Sequence, residues 1–136
     1  MVVYEVECRA RGRSDLVPSP ASYGWAHFHA FADLLAAEER ICLGEMMEYG
    51  GVVPWSRVET CLRPIFDPSL LDGGILALKW VLGMQSRLHE VCAAWGDGSY
   101  AGSAEKGMKA EQFAELVKLL SVVDYCVKTR RSMRVR

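Results

Sequence analysis

The chain has 136 residues, 51% of them hydrophobic and 24% charged, with 17 acidic and 16 basic side chains for a formal net charge of -1. That length fits one domain, and the composition excludes a disordered tail, a collagen-like repeat and a supercharged chaperone. The longest uncharged apolar run, residues 73–78, is too short to cross a bilayer, and Glu5, Glu7 and Arg9 interrupt the early apolar segment, so neither a membrane span nor a secretory signal is expected.

Residues 3–11 alternate: Tyr4, Val6, Cys8 and Ala10 on one face, Glu5, Glu7, Arg9 and Arg11 on the other. A period of two predicts a half-buried strand. No second strand of comparable quality is legible, so this strand needs a cryptic partner or a second copy of the chain; a homodimer is expected, with dimerisation through this edge as one option. Ser19-Pro20 reads as a helix start, and Phe28, Phe31, Ala32, Leu35, Cys42, Met46 and Tyr49 keep 3.6-residue spacing over a helix at about 21–49, closed by Gly50-Gly51. Pro54 opens a short helix at about 54–62 and Pro64 stops it. A long helix over about 75–95 is apolar around most of its circumference and is expected at the centre of the domain. After a loop rich in Gly, Ser and Ala, a last helix spans about 109–129, with Phe113, Leu116, Leu119, Leu120, Val123 and Val127 inward, and residues 130–136 form a basic tail. The fold class is therefore mainly α: a single small helical domain over 1–136, with three longer helices, one or two short ones and an N-terminal β-strand.

Some polar residues fall where the pattern asks for apolar ones. Glu39 projects onto the apolar stripe of the first long helix; either the helix breaks after Ala36 and frees it, or a carboxylate is buried and needs a partner. Gln85 and His89 project into the apolar arc of the central helix, as an internal hydrogen bond or as a polar pocket with Glu39 and a cysteine. His89 lacks the second histidine of a zinc-protease helix, and no phosphate-binding glycine loop or nucleophile elbow is present. No catalytic residue, metal ligand or cofactor is assigned, and a non-enzymatic protein is expected. The odd count of five cysteines, widely spaced, argues for reduced thiols and a cytoplasmic protein.

Charge is segregated. Residues 128–136 hold Lys128, Arg130, Arg131, Arg134 and Arg136 with no acid, and Arg9, Arg11 and Arg13 lie near the other end. Guanidinium groups suit bidentate phosphate contacts, so Arg9, Arg11, Arg13, Arg130, Arg131 and Arg134 are the candidate nucleic-acid contacts, provided the two segments share a surface. Trp55, behind Pro54, is the candidate stacking side chain.

The stretch Leu88-His89-Glu90-Val91, with Trp95 and then Ser99-Tyr100-Ala101, resembles a helix and its exit in tombusvirus-type RNA-silencing suppressors. Pro54-Trp55-Ser56-Arg57 is similar to the start of their end-capping helix, and Gly24-Trp25 and Trp95-Gly96 resemble the glycine–tryptophan pairs of aureusvirus suppressors. The resemblance implies a viral homodimer that clamps small double-stranded RNA over a sheet and stacks tryptophan on its ends. Val58 stands where that family has a second end-capping tryptophan, and the strands of its RNA-facing sheet are not legible after Ala101. The alternative reading is a protein–protein interaction module, such as a viral or phage inhibitor of a host protein, using acidic helices and exposed aromatics without any nucleic-acid role.

Overall fold

The computed structural model describes residues 1–7, 17–100 and 106–136, and the side chains of residues 106–109 stand outside that description. Strand β1 (Val2–Val6) is followed by β2 (Ala21–Tyr23), helix α1 (Trp25–Glu38), a short helix α2 (Arg63–Phe66), strand β3 (Ile75–Leu76), the long helices α3 (Leu78–Gly96) and α4 (Lys106–Thr129), and β4 (Met133–Val135). Helix predominates and the N-terminal strand is present, but the architecture is mixed rather than purely helical: the described helices pack with an antiparallel four-stranded sheet of order β2-β1-β4-β3.

The alternation in β1 holds. Val2, Tyr4 and Val6 are buried, and Val3 and Glu5 are half-exposed on the other face. Cys8 to Arg11, the rest of the expected strand, lie outside the described residues. β1 is not an edge, however. It pairs with β2 through Val2↔Tyr23 and Tyr4↔Ala21, and with β4 through Tyr4↔Val135 and Val6↔Met133. Its backbone groups are satisfied inside one chain, which removes the unpaired edge that called for a second copy.

Two of these partner strands come from segments expected to be something else. Ala21–Tyr23 was expected to open a helix, and Met133–Val135 to be an unstructured basic tail. Both alternate, with Ala21, Tyr23 and Met133 buried and Ser22 and Arg134 exposed. Three residues are too few to register as a period, but beside β1 they complete a ladder.

The helix expected over 21–49 ends at Glu38. Arg40 turns left-handed at φ 59°, Arg40 N–H donates to Ala37 O and Ile41 N–H donates to Ala36 O, a Schellman closure made without glycine. Residues 42–58 then fold as 3-10 turns at Leu43–Glu45, Met47–Tyr49 and Trp55–Arg57, joined by a Met46↔Val53 bridge. Gly51 is required there: a Cβ would fall 2.1 Å from the carbonyl carbon of Glu45. Met46 is buried and Tyr49 half-buried in this turn region, and so imitate the helical spacing of the stripe, while Cys42 is exposed and Leu43 takes the inward place beside it. Pro64 begins α2 rather than stopping a helix, because the first turn needs no N–H from it. The helix expected over 54–62 reduces to the single turn at Trp55–Arg57.

α3 buries one side only. Val81, Met84, Leu88, Val91 and Trp95 are inside, while Leu82 is 46% exposed. The central layer is α4, which packs against α1, α3 and strands β1, β2 and β4 through buried Leu116, Leu119, Leu120, Val122, Val123 and Cys126. Between α1 and the sheet sits an aromatic cluster. Tyr23 stacks on Phe31 at 5.3 Å and meets Tyr4 edge-on at 6.0 Å, and Phe31 meets Trp95 edge-on at 6.3 Å. No helix among the described residues is long and apolar enough to cross a membrane.

Candidate nucleic-acid interface

The β1–β4 pairing decides where the basic residues stand. Val6 faces Met133, and Glu7 N–H donates to Ser132 O at 3.0 Å, so the chain leaves β1 beside the turn that leads from α4 into β4. That turn carries Arg130 and Arg131. Arg130 is exposed and left-handed at φ 54°, and Arg131 N–H donates to Cys126 O at 2.9 Å, which is again a Schellman closure without glycine. A side chain in this backbone region costs about 1 kcal/mol that glycine would not.

Arg134 is exposed on the sheet face turned away from the helices, between Glu5 on β1 and Ile75 on β3. Arg136 stands opposite Val3 on the same face, and their backbones exchange two 2.9 Å hydrogen bonds. The guanidinium of Arg136 clasps Glu5 side-on: Nε lies 3.1 Å from Oε1, and Nη2 donates to Oε2 at 3.1 Å. Glu5 therefore sits between two arginines and occupies one of them. Lys128 and Arg130 are exposed, and Arg131 is half-buried with a partner of its own. Arg9, Arg11 and Arg13 lie outside the described residues.

Trp55 is not available for stacking on a base. It is 6% exposed and lies parallel to Phe66 with ring centroids 6.0 Å apart, and its Nε1–H is buried without a partner. The expectation of an exposed side chain behind Pro54 is corrected: the Trp55–Arg57 turn rolls the indole inward onto α2. Trp25, 63% exposed at the start of α1, is the tryptophan with an open face, and Trp80 is half-buried with Lys79 Nζ 5.2 Å from its ring centre. No periodic pattern singles out Trp25, because it stands at a helix start where α1 has not yet met its neighbours.

The polar residues that interrupt the apolar faces are tied up between helices. Glu39 meets both readings at once. The helix breaks beside it, yet its side chain is only 14% exposed, and Arg87 Nε donates to Oε1 at 2.6 Å. Arg87 also donates to Glu90 Oε2 at 2.9 Å and to the Glu38 carbonyl at 3.2 Å, and Trp95 Nε1 donates to Glu38 Oε1 at 2.8 Å. Together these close α1 onto α3. Gln85 Nε2 donates to Asp124 Oδ1 at 2.9 Å, and His89 Nε2 meets the same oxygen at 2.8 Å, tying α3 to α4. Glu39 is not part of that group. Burial, and then the Asp124 charge, push the Cys92 thiol up, the opposite of what a thiolate nucleophile needs. Burial likewise pushes Cys126 up to about 11 despite the opposing pull of Arg131. Among the described residues no group of three or more His, Cys, Asp or Glu side chains could hold a metal ion.

Comparison of the chain with protein-family models, curated proteins and solved structures finds no match in any of the three.

Proposed function

We propose that this chain is a small non-enzymatic binding protein that contacts the phosphates of double-stranded RNA through Arg130, Arg131 and Arg134. Arg9, Arg11 and Arg13 would join them from the segment after Glu7. The observation that carries the reading is the antiparallel pairing of β1 with β4, because it puts Glu7, the last described residue before Arg9, beside the turn that carries Arg130 and Arg131. The closure of α4 adds support: an arginine holds a strained backbone position that glycine would occupy at lower cost, and it holds it at the exposed basic end. Contacts of this kind follow the backbone and carry no sequence information. The free state of Cys42, Cys61, Cys92 and Cys126 fits a cytoplasmic setting. The homodimer implied by the silencing-suppressor resemblance would form away from β1, both of whose edges are taken.

The test is retention on a short RNA duplex or on heparin across a salt gradient. Strong retention at 50 mM salt that collapses by 200 mM is the expected behaviour, and the triple variant Arg130→Ala, Arg131→Ala, Arg134→Ala should lose it while keeping its circular dichroism spectrum. Indifference of the natural chain to both polyanions at 50 mM salt rejects the reading.

The exposed apolar residues favour a second reading. Trp25 at 63%, Met47 at 60% and Val52 at 86% exposure are of the kind that anchors a protein partner. In that case the chain is an interaction module, Trp25→Ala is the damaging change, and the arginine variants are silent.

A further inference from the structure

A pocket of about 420 Å³ opens where the inner face of the sheet meets α1 and α2. That volume falls in the range of small-molecule sites, about 300–1,000 Å³. Its walls are apolar: Val2 and Val135 from the sheet, Phe28 from α1, Ile65 and Phe66 from α2, and Leu71 from the turn that follows. Two hydroxyls reach it. Tyr49 is committed as a donor, its O–H bonding Phe66 O at 2.8 Å, and so offers only its oxygen as an acceptor. Tyr4 is 97% buried by the complement of its 3% exposure, packs its ring against Tyr23 and Phe28, and makes no hydrogen bond through its hydroxyl among the described residues. The hydroxyl is not among the sealed, unpartnered polar atoms of the described residues, so it opens to the pocket, and an occupant that strips water from it without replacing the hydrogen bond costs about 1–3 kcal/mol. Burial, reinforced by the neighbouring Tyr49, holds the Tyr4 phenol far above its ordinary pKa, so it is a proton donor at every physiological pH.

We infer that this pocket binds a small uncharged organic molecule, of two-ring size and carrying one hydroxyl, with Tyr4 donating to that hydroxyl and Tyr49 accepting from it. Three features select this occupant. Stripping the water from an ionised group against these walls would be costly, and the cation at the rim, Arg136, is already held by Glu5 while Glu48 lines the same rim. A peptide would bring one donor and one acceptor per residue, and the buried part of the pocket answers with the Tyr4 and Tyr49 hydroxyls, the other polar lining groups being the exposed His29, Glu48 and Arg136. A wholly apolar ligand would strip water from the Tyr4 hydroxyl and return no hydrogen bond. The exposed indole of Trp25 at the mouth supplies a flat face to cover such a molecule. This site touches the candidate phosphate face only through Arg136 and does not rest on the RNA reading.

The probes are 2-naphthol and naphthalene, which share a shape and differ by one hydroxyl, titrated into the 15N-labelled chain and followed by amide shifts. Both should perturb Tyr4, Phe28, Ile65 and Leu71, with 2-naphthol the tighter by about fivefold to tenfold, the worth of one buried hydrogen bond. Tyr4→Phe, which keeps the ring and removes the hydroxyl, should erase that advantage and leave naphthalene unchanged. Leu71→Trp should block both probes. Equal binding of the two probes to the natural chain overturns the inference without recourse to any variant, as does saturation at amides elsewhere or no shift at the solubility limit. Concentration-dependent broadening of the pocket amides without probe also overturns it, by making a second copy of the chain the occupant.

Discussion

Glu5 is the acid most at odds with phosphate binding, and it gives that proposal its sharpest quantitative test. Its carboxylate clasps Arg136 through two 3.1 Å contacts and stands opposite Arg134 in the ladder, so it competes with phosphate for one guanidinium and repels phosphate from another. In Glu5→Gln the strand register is untouched, because the side chain lies on the half-exposed outer face. Arg136, 60% exposed, then becomes free to meet a phosphate. Each phosphate neutralised on a duplex adds about 0.9 to the slope of log affinity against log salt. One added contact should therefore tighten binding more at 50 mM salt than at 200 mM, by about 3.5-fold in the variant-to-natural ratio. The stability cost should be small, about 0–1 kcal/mol and about 0–4 °C in Tm, because the pair is exposed and screened. Fluorescence anisotropy with a labelled RNA duplex at four salt concentrations measures the slope, and a thermal melt in the same buffers controls for folding. A ratio that does not change with salt, or that falls below one, refutes the reasoning, since either result means that the outer sheet face does not meet the phosphates.

Asp67 is 1% exposed. Burial works to raise its pKa, but the Ser69 hydroxyl and N–H and the Arg63 guanidinium together hold it below the usual 3.8. A lowered native pKa contributes stability that is present above 3.8 and is lost as the pH falls through the native value, so Asp67→Asn should cost about 2 kcal/mol at neutral pH and flatten the acid limb of a urea-midpoint titration; an unchanged acid limb contradicts this assignment. The Glu39–Arg87 pair is only partly shielded, with side chains 14% and 30% exposed, so a double-mutant cycle of Glu39→Gln and Arg87→Met should return a coupling of about 1 kcal/mol, between surface and buried pairs. A coupling near zero would mean that Arg87 holds α1 through the Glu38 carbonyl and not through the carboxylate.

The sequence made legible those elements long enough to repeat. β1 shows its alternation, and the inward residues of α4 fall at the spacing that packing needs. β2, β3 and β4 are three, two and three residues long, so no period forms; β2 and β4 depend on β1 lying alongside, and β3 on β4. The end of α1 was hidden for another reason: glycine is the usual signal of a left-handed closure, and here Arg40 does it. Glycines that looked like that signal, Gly50 and Gly51, serve a later turn. At the candidate sites the arginines were readable as a charge pattern, but their neutralising partner was not. Glu5 and Arg136 are 131 residues apart and meet only because the sheet joins them. Trp55 was misjudged because its burial depends on a stack with Phe66 that follows from the path of the turns. Tyr4 was legible as an inward side chain, but no spacing rule reports that a hydroxyl lacks a partner.

The two central strands of the sheet come from residues 2–6 and 133–135, which gives synthesis on the ribosome an order of events. Val2, Tyr4 and Val6 are made before α1, α3 and α4, yet their neighbour on one side, β4, is made after all three. Until it arrives the nascent chain must carry a greasy ribbon with an open flank, a target for chaperones and for other unfinished copies. Closing a ring of this length costs entropy that helix pairing alone does not recover, so assembly should end with a slow, concerted docking of β4. Clipping β4 away would leave the sheet without its keystone, since β4 stands between β1 and β3.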